Sequence, residues 1–241
     1  MRDSLIRLRS GKTAVALAVG MLAHTCTAAA VRAGEIDALL FGSLDAGAAQ
    51  FLTVGAKLGL DALEREGFVA LASLGGGRRD ERAGAGPRQR YTVGGAAVVG
   101  YQWFFDWGVA AAYAGPEIAM EMLADGRSLT PLPARYGLRL HGEIWARPSE
   151  TTLLQAALVA GSARESLWIR VAGGYRLWGA YLGPEVSAYV DATGYAKWNF
   201  GLHGTDFDLG RFSARVSAGL QTESRRRTAC PYMTLSVWTP L

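Results

Sequence analysis

The sequence predicts an all-β chain: one antiparallel transmembrane barrel of about twelve strands over residues 34–241, behind a cleavable export signal at 1–33. Three observations carry that prediction. Apolar and polar residues alternate with a period of two through most of the chain, as in strands that bury one face. The alternating segments are about ten residues long, which suits a tilted strand crossing a bilayer. The connections between them are by turns long and charged, then short.

The first 33 residues read as an address. Arg2, Arg7, Arg9 and Lys12 lead into an apolar run at 13–22 (TAVALAVGML). Small residues follow, with cleavage sites at Ala28-Ala29-Ala30 or Val31-Arg32-Ala33. His24, Thr25 and Thr27 stop the run short of the roughly 20 apolar residues a membrane helix needs. A lipoprotein anchor at Cys26 is disfavoured by the same His24 and Thr25. The segment also accounts for the net charge of +4. Five of the 25 basic residues and one of the 21 acidic ones precede Gly34, which leaves 20 of each. A neutral remainder has no basic surface to displace counterions from a phosphate backbone, so nucleic-acid partners are excluded. After cleavage Cys230 stands alone, which removes a disulfide framework and a cysteine metal site. No cofactor and no metal are expected.

Strands are expected, in order, at 36–44, 50–60, 66–76, 90–103, 107–119 and 135–147. The second half supplies 151–161, 166–177, 179–190, 195–204, 209–222 and 230–238. Twelve is an even number, as such barrels require; ten is the alternative. The clearest is 135–147 (RYGLRLHGEIWAR), where Arg135, Arg139, His141 and Glu143 oppose Tyr136, Leu138, Leu140 and Ile144. A helix would smear Arg and Leu around every side. Arg211, Ser213, Arg215 and Ser217 likewise oppose Phe212, Ala214, Val216 and Ala218. Lys197, Asn199 and His203 alternate with Trp198, Phe200 and Leu202, and Arg170 and Arg176 share one face against Ile169, Val171 and Leu177. The small-residue segments near 68–76 and 96–100 leave their facing open. With an N-terminus on the periplasmic side, residues 77–89, 120–134 and 222–229 form long external loops, and Arg225-Arg226-Arg227 is a solvated part of the last. Short turns near 104–106, 148–150 and Trp178 face inward. That register gathers Trp103, Trp107, Trp145, Trp178 and Trp238, with Phe104 and Phe105, as an aromatic girdle at the periplasmic rim. Trp168 and Trp198 fall at the opposite rim.

The polar faces carry Lys57, Glu117, Arg139, His141, Glu143, Arg170, Arg176, Glu185, Lys197 and Arg215. These charges are spread over many strands, so no single surface patch can hold them. Inside a closed barrel they can pair with one another, and the aliphatic faces then cover the outside. A soluble monomer does not expose a continuous apolar band of that size, whereas lipid favours it. The expected setting is the outer membrane, with its lipids as partners. A soluble periplasmic β-sandwich that binds a ligand is the rival fold, since it too shows alternation.

An internal echo relates two of these carboxylates. Gly100-Tyr101, Trp107-Gly108 and 113–118 (YAGPEI) are repeated as Gly174-Tyr175, Trp178-Gly179 and 181–186 (YLGPEV). Proline cannot donate to a ladder, so each Gly-Pro-Glu is expected to make a bulge, with Glu117 and Glu185 turned into the lumen. Two carboxylates can work as acid and base on a glycan. Ion pairing with nearby Arg or Lys is the simpler reading and is preferred. His141 and Glu143 can join a serine in an esterase triad, yet no G-x-S-x-G elbow marks one. No catalytic residue is therefore assigned; a lipid- or glycan-modifying barrel enzyme is the rival function.

The segments VVGYQW (98–103), YAGPEIAME (113–121), HGEIWARP (141–148) and GGYRLWGAYLGPEVSAY (173–189) resemble the cellulose biosynthesis protein BcsS family. The resemblance spans roughly residues 36–238. It implies an exported outer-membrane barrel that accompanies bacterial cellulose synthesis and assists export or surface organisation of the β-glucan. Cellulose and other cellulose-export components are the partners it implies. The family pattern supplies no catalytic residues to carry over. One departure is the end of the chain, where Trp238 is followed by Thr239-Pro240-Leu241 instead of a terminal aromatic.

Overall fold

The computed structural model describes residues 37–241 apart from 61, 84, 85, 127, 225 and 227. The export signal at 1–33, Arg225 and Arg227 lie outside the described residues. The first strands are β1 (Ala38–Ala46), β2 (Gln50–Gly59), β3 (Gly67–Ala83), β4 (Gly86–Phe105) and β5 (Gly108–Ala124). A three-residue piece, β6 (Leu129–Pro131), follows. Next come β7 (Arg135–Ser149), β8 (Thr152–Gly161), β9 (Ser166–Leu177) and β10 (Ala180–Val190). The last are β11 (Ala196–Leu209), β12 (Phe212–Glu223) and β13 (Cys230–Pro240).

Every long strand runs antiparallel to its neighbour in sequence. β5 pairs directly with β7, and β1 pairs with β13 from Leu39↔Pro240 to Ala46↔Met233. The result is a closed barrel of twelve strands, because β6 only edges the far end of β5 at Met122↔Pro131 to Ala124↔Leu129. Closure leaves no row of unpaired backbone groups. Two of the three expected long loops prove to be mostly strand. β3 and β4 continue as a ribbon through most of 77–89, from Gly77↔Thr92 to Ala83↔Gly86, and β5 with β6 occupies much of 120–134. Backbone pairing stabilises these polar segments where no apolar face announces them. At the opposite end four of the five connections are pairs of residues, 106–107, 150–151, 178–179 and 210–211, and the fifth, between β2 and β3, runs over 60–66.

Alternation sorts the side chains. Leu138, Leu140, Ile144, Ile169, Phe212 and Leu235 are exposed on the exterior, together with Leu40, Leu44, Val99, Val186, Phe200 and Leu202. Their neighbours on the other face point into the barrel. The interior is not evenly ionic, however, as the sequence leads one to expect. The wall made by β3, β4 and β5 is dry: Val69, Leu71, Ala96, Val98, Ala111 and Tyr113 cluster there, joined by Phe41 and Leu63. Leu63 belongs to the β2–β3 turn, which folds inward. Gln102 Nε2 donates to the carbonyls of Ala62, Leu63 and Arg65 at 3.4, 3.0 and 2.8 Å. The Leu63 amide donates to Asp37 Oδ2 at 2.6 Å. Burial of this turn excludes water from that side, so small and aliphatic residues fill it.

The Gly-Pro-Glu segments do not bulge. On β10 the pairing with β9 lapses at Gly183 and Pro184 and resumes in the same register, Leu182↔Tyr175 then Glu185↔Ala172. On β5 it lapses at Gly115 and Pro116 between Ala114↔Val99 and Glu117↔Ala96. The missing proline donor is tolerated because the preceding glycine lets the strands close up. A Cβ at Gly183 would run into the carbonyl oxygen of Gly173, and one at Gly115 into that of Ala97. We expect Gly183→Ala to cost roughly 1–3 kcal/mol through overpacking against backbone. Denaturant unfolding of the reconstituted barrel reads this, and a change within error of zero would show that the strands separate freely there.

Candidate functional site

The interior is crossed by side chains at three levels. At the end where β3 and β4 project, Arg79 on β3 reaches the turn after β10, on the opposite side of the barrel. Its Nη1 meets Asp191 Oδ2 at 2.6 Å, its Nη2 donates to Thr193 Oγ1 at 2.8 Å, and its guanidinium lies 4.2 Å from the Tyr195 ring centroid. Arg164, in the β8–β9 turn, bridges Asp191 at 3.1 Å and Glu121 at 2.9 Å. Arg90 binds Glu81 at 2.7 Å and Glu121 at 2.8 Å. A single network thus ties four parts of the mouth together.

Burial pushes the Asp191 carboxyl up, but hydrogen bonds from Arg79 and Thr193 and the charges of Arg79 and Arg164 outweigh it and hold it below the usual 3.8. Burial, followed by the hydrogen bond to Glu223, pushes the Tyr195 hydroxyl up. A carboxyl lowered on folding stabilises the folded state above its unfolded value. That contribution is lost as pH falls through the lowered one. Protection of the 191–195 amides, taken relative to their intrinsic exchange at each pH, should therefore hold from neutral pH down to about 4 and fall only below that. Asp191→Asn should loosen the turn at neutral pH. Loosening near pH 6 would contradict the pairing.

At mid-height the candidate residues find partners. Glu143 accepts from Lys57 Nζ and from Tyr113 Oη, both at 2.9 Å, and His141 stacks on Tyr113 with centroids 5.2 Å apart. Nearer the long-loop mouth, Glu117 pairs with Arg139 at 3.0 Å and accepts the Ala163 amide of the β8–β9 turn at 2.9 Å. Glu185 pairs with Arg215 and accepts from Ser217 Oγ at 3.2 Å. At the long-loop mouth, Lys197 reaches Asp45 at 2.6 Å. Each of the two echo glutamates thus takes its own guanidinium. The partners of Glu143 are Lys57 and Tyr113 in place of a serine-activating histidine. Arg170 lies 5.4 Å from the Trp168 ring centroid, and Arg176 sits exposed near the short-turn end.

The third level corrects the aromatic girdle. Trp103 and Trp107 are on the exterior with Phe105: Trp103 packs on Tyr101 at 5.2 Å, and Phe105 stacks on Trp107 at 4.7 Å. Trp178 is 95% exposed in its turn. Trp145 and Trp238, by contrast, share the faces of Glu143 and Thr234 and point inward. They come from β7 and β13, opposite strands of the ring, yet their centroids are 6.0 Å apart at an interplanar angle of 79°. Only contact through the interior can achieve that. Trp168 also turns inward, beside Arg170. Aromatic composition and rim position do not separate the two groups; strand parity, already set by Glu143, identifies Trp145 as inward.

Beside this pair lies an ion pair that sequence reading missed. Arg147 Nη2 on β7 meets Asp206 Oδ2 on β11 at 2.8 Å, and the Arg147 guanidinium lies 5.6 Å from the Tyr181 ring centroid. Asp206 has φ +63° and falls where the β11–β12 register shifts between Thr205 and Phe207. No sequence pattern announces an aspartate in the left-handed region. Strand parity from His141 and Glu143 does put Arg147 on the inward face.

Of the buried polar side-chain atoms without a hydrogen-bond partner among the described residues, seven lie on β11, β12 and β13. They belong to Asn199, His203, Thr205, Arg215, Gln221 and Tyr232. An unpaired buried donor or acceptor is costly, typically about 1–3 kcal/mol. All seven are enclosed within the wall and not open to the lumen.

Fold and site together define a class: a closed twelve-stranded barrel with the polarity of outer-membrane barrels, aliphatic outside and spanned by its own ion pairs and aromatics within. Within that class the chain belongs to the cellulose biosynthesis protein BcsS family, whose model matches residues 39–241. Among solved structures it is similar to the KdgM porin in complex with disordered oligogalacturonate, at 10% identity and a TM-score of 0.48 over 83% of this chain and 98% of that one. It is also similar to the beta domain of the Bordetella autotransporter BrkA, at 13% identity and a TM-score of 0.48 over 86% and 98%. No curated protein matches the chain.

Proposed function

We propose that this chain is a non-catalytic outer-membrane barrel that assists cellulose biosynthesis by holding or organising the β-glucan during export. The observation that carries the reading is the inverted polarity of a closed barrel: large aliphatic residues are exposed all round, while Arg, Lys, Glu and Asp meet inside. Such an exterior is favourable only against acyl chains. The export signal expected at 1–33 supplies the route, and the short-turn end then faces the periplasm. Family membership supplies the cellulose context. Because bonded side chains cross the interior at three levels, the barrel is read as an anchor and organiser more than as an open conduit.

The test is twofold. Tagged protein should fractionate with outer membranes, resist carbonate extraction and migrate differently on gels when unheated. Deleting the gene should lower cellulose output, and His141→Ala or Glu117→Gln should restore output as well as the unaltered gene does. Loss of output at normal protein level in those variants would favour a glycan-modifying enzyme. Carbonate-extractable protein would favour the soluble binding protein.

A further inference from the structure

We propose that the short-turn mouth is a saccharide subsite, in which Trp145 and Trp238 stack on the pyranose rings of a neutral β-glucan while Arg147 and Asp206 bind its hydroxyls. The choice of a glucan rests on the function proposed above; the subsite itself rests on geometry.

Among the described residues, these two indoles are the only tryptophans that meet each other. They do so through the lumen, so lipid is not their partner. Both are partly exposed at the mouth, where a ligand can reach them. A β-linked pyranose presents axial C–H bonds on its two flat faces. Those weakly positive hydrogens suit the negative face of an indole. Equatorial hydroxyls project from the ring edges and need donors and acceptors beside the aromatic.

Arg147 and Asp206 supply them. Arg147 lies two residues from Trp145 on the same face of β7, and the pair remains partly exposed, with side-chain accessibilities of 53% and 23%. Beyond the bond they make to each other, the guanidinium keeps further donors and the carboxylate further acceptor sites, so vicinal hydroxyls would find both beside the indoles. Since the two charges cancel, the subsite favours a neutral sugar over an acidic one. The backbone is shaped for this arrangement. Asp206 is held in the left-handed region at a register shift, a conformation that costs energy and persists where the surroundings impose it.

The experiment titrates cellohexaose into the full-length protein purified in detergent and follows tryptophan emission. The unaltered protein should give a saturable change. Trp145→Ala and Trp238→Ala should each weaken binding by at least about tenfold, and Trp145→Phe should retain most of it. Asp206→Asn keeps a residue that tolerates positive φ, so it tests the hydroxyl contact without disturbing the turn; it should weaken binding severalfold. Trp178→Ala, in a neighbouring turn, should change nothing. Heat-modifiable mobility checks folding in each case, and Asp206→Asn and Trp145→Phe keep the test open if an alanine variant fails to fold. A folded protein with no saturable response would overturn the proposal. So would alanine variants that bind as the unaltered protein does, or hexagalacturonate binding as tightly as cellohexaose. If cellulose output depends on the gene while cellohexaose does not bind, this subsite is wrong and the cellular function stands. If output is independent of the gene, the function fails whatever the binding result.

Discussion

Replacing Arg215 with methionine is expected to cost the barrel about 3–5 kcal/mol of stability. Arg215 is 2% exposed and Glu185 4%, and their side chains meet between β12 and β10. Taking two charges out of water is costly, and their attraction roughly offsets that cost only while both are present. Removal of the guanidinium leaves a buried carboxylate with Ser217 Oγ, at 3.2 Å, as its remaining described hydrogen-bond partner. Arg170 lies close enough to interact electrostatically with both partners, so it is the nearest replacement charge. Because it already faces the Trp168 ring, a full rescue would need it to leave that contact. The double change Arg215→Met with Glu185→Leu should recover most of the loss, since two apolar groups of similar volume need no partner. Urea unfolding of the three proteins in lipid vesicles measures this. A single variant as stable as its parent would mean that the pair is hydrated and not buried.

The contrast between β7 and β3 shows what sequence makes legible. In β7 every other residue from Arg135 to Glu143 is polar or glycine and the intervening ones are mostly aliphatic, so its facing can be read directly. In β3 the inward residues Val69, Leu71 and Ser73 alternate with Ala70, Ala72 and Leu74. Both faces are apolar or small there, because one meets the exterior and the other the dry core under the β2–β3 turn. Periodicity cannot distinguish two apolar faces. The same ambiguity hides the length of β3. Beyond Gly76 its inward positions become Arg79 and Glu81, which look like loop residues until the Asp191 turn across the mouth is known.

The candidate site divides in the same way. Inward charges are legible because a buried charge must be paired, and Glu117 with Arg139 or Glu185 with Arg215 satisfy that rule. Which indoles leave the rim is decided by parity within each strand and by which strands lie opposite each other in the closed ring. Trp145 carries the first signal in the sequence. The second, its meeting with Trp238, exists only once β13 has closed on β1. Asp206 is beyond pattern altogether, since a single residue at positive φ leaves no periodic trace.

An exterior that faces lipid should make the cost of an outward charge depend on depth. Leu140 is 56% exposed near the middle of β7, between Ala114 on β5 and Ala160 on β8. On the surface of a soluble protein, arginine in its place would be close to neutral. In a bilayer, a charge at mid-depth loses its hydration and should cost roughly 2–4 kcal/mol. Tyr136 lies on the same face of β7, nearer the long-loop end. It should accept arginine for about 0–1 kcal/mol, because the long side chain there can reach the headgroups. The difference between the two positions is decisive, since it separates a depth effect from general intolerance of arginine in β7. Denaturant unfolding in vesicles of defined thickness gives both numbers. Equal costs at the two positions, or a negligible cost at Leu140, would remove lipid from the exterior and the outer membrane from the proposed function.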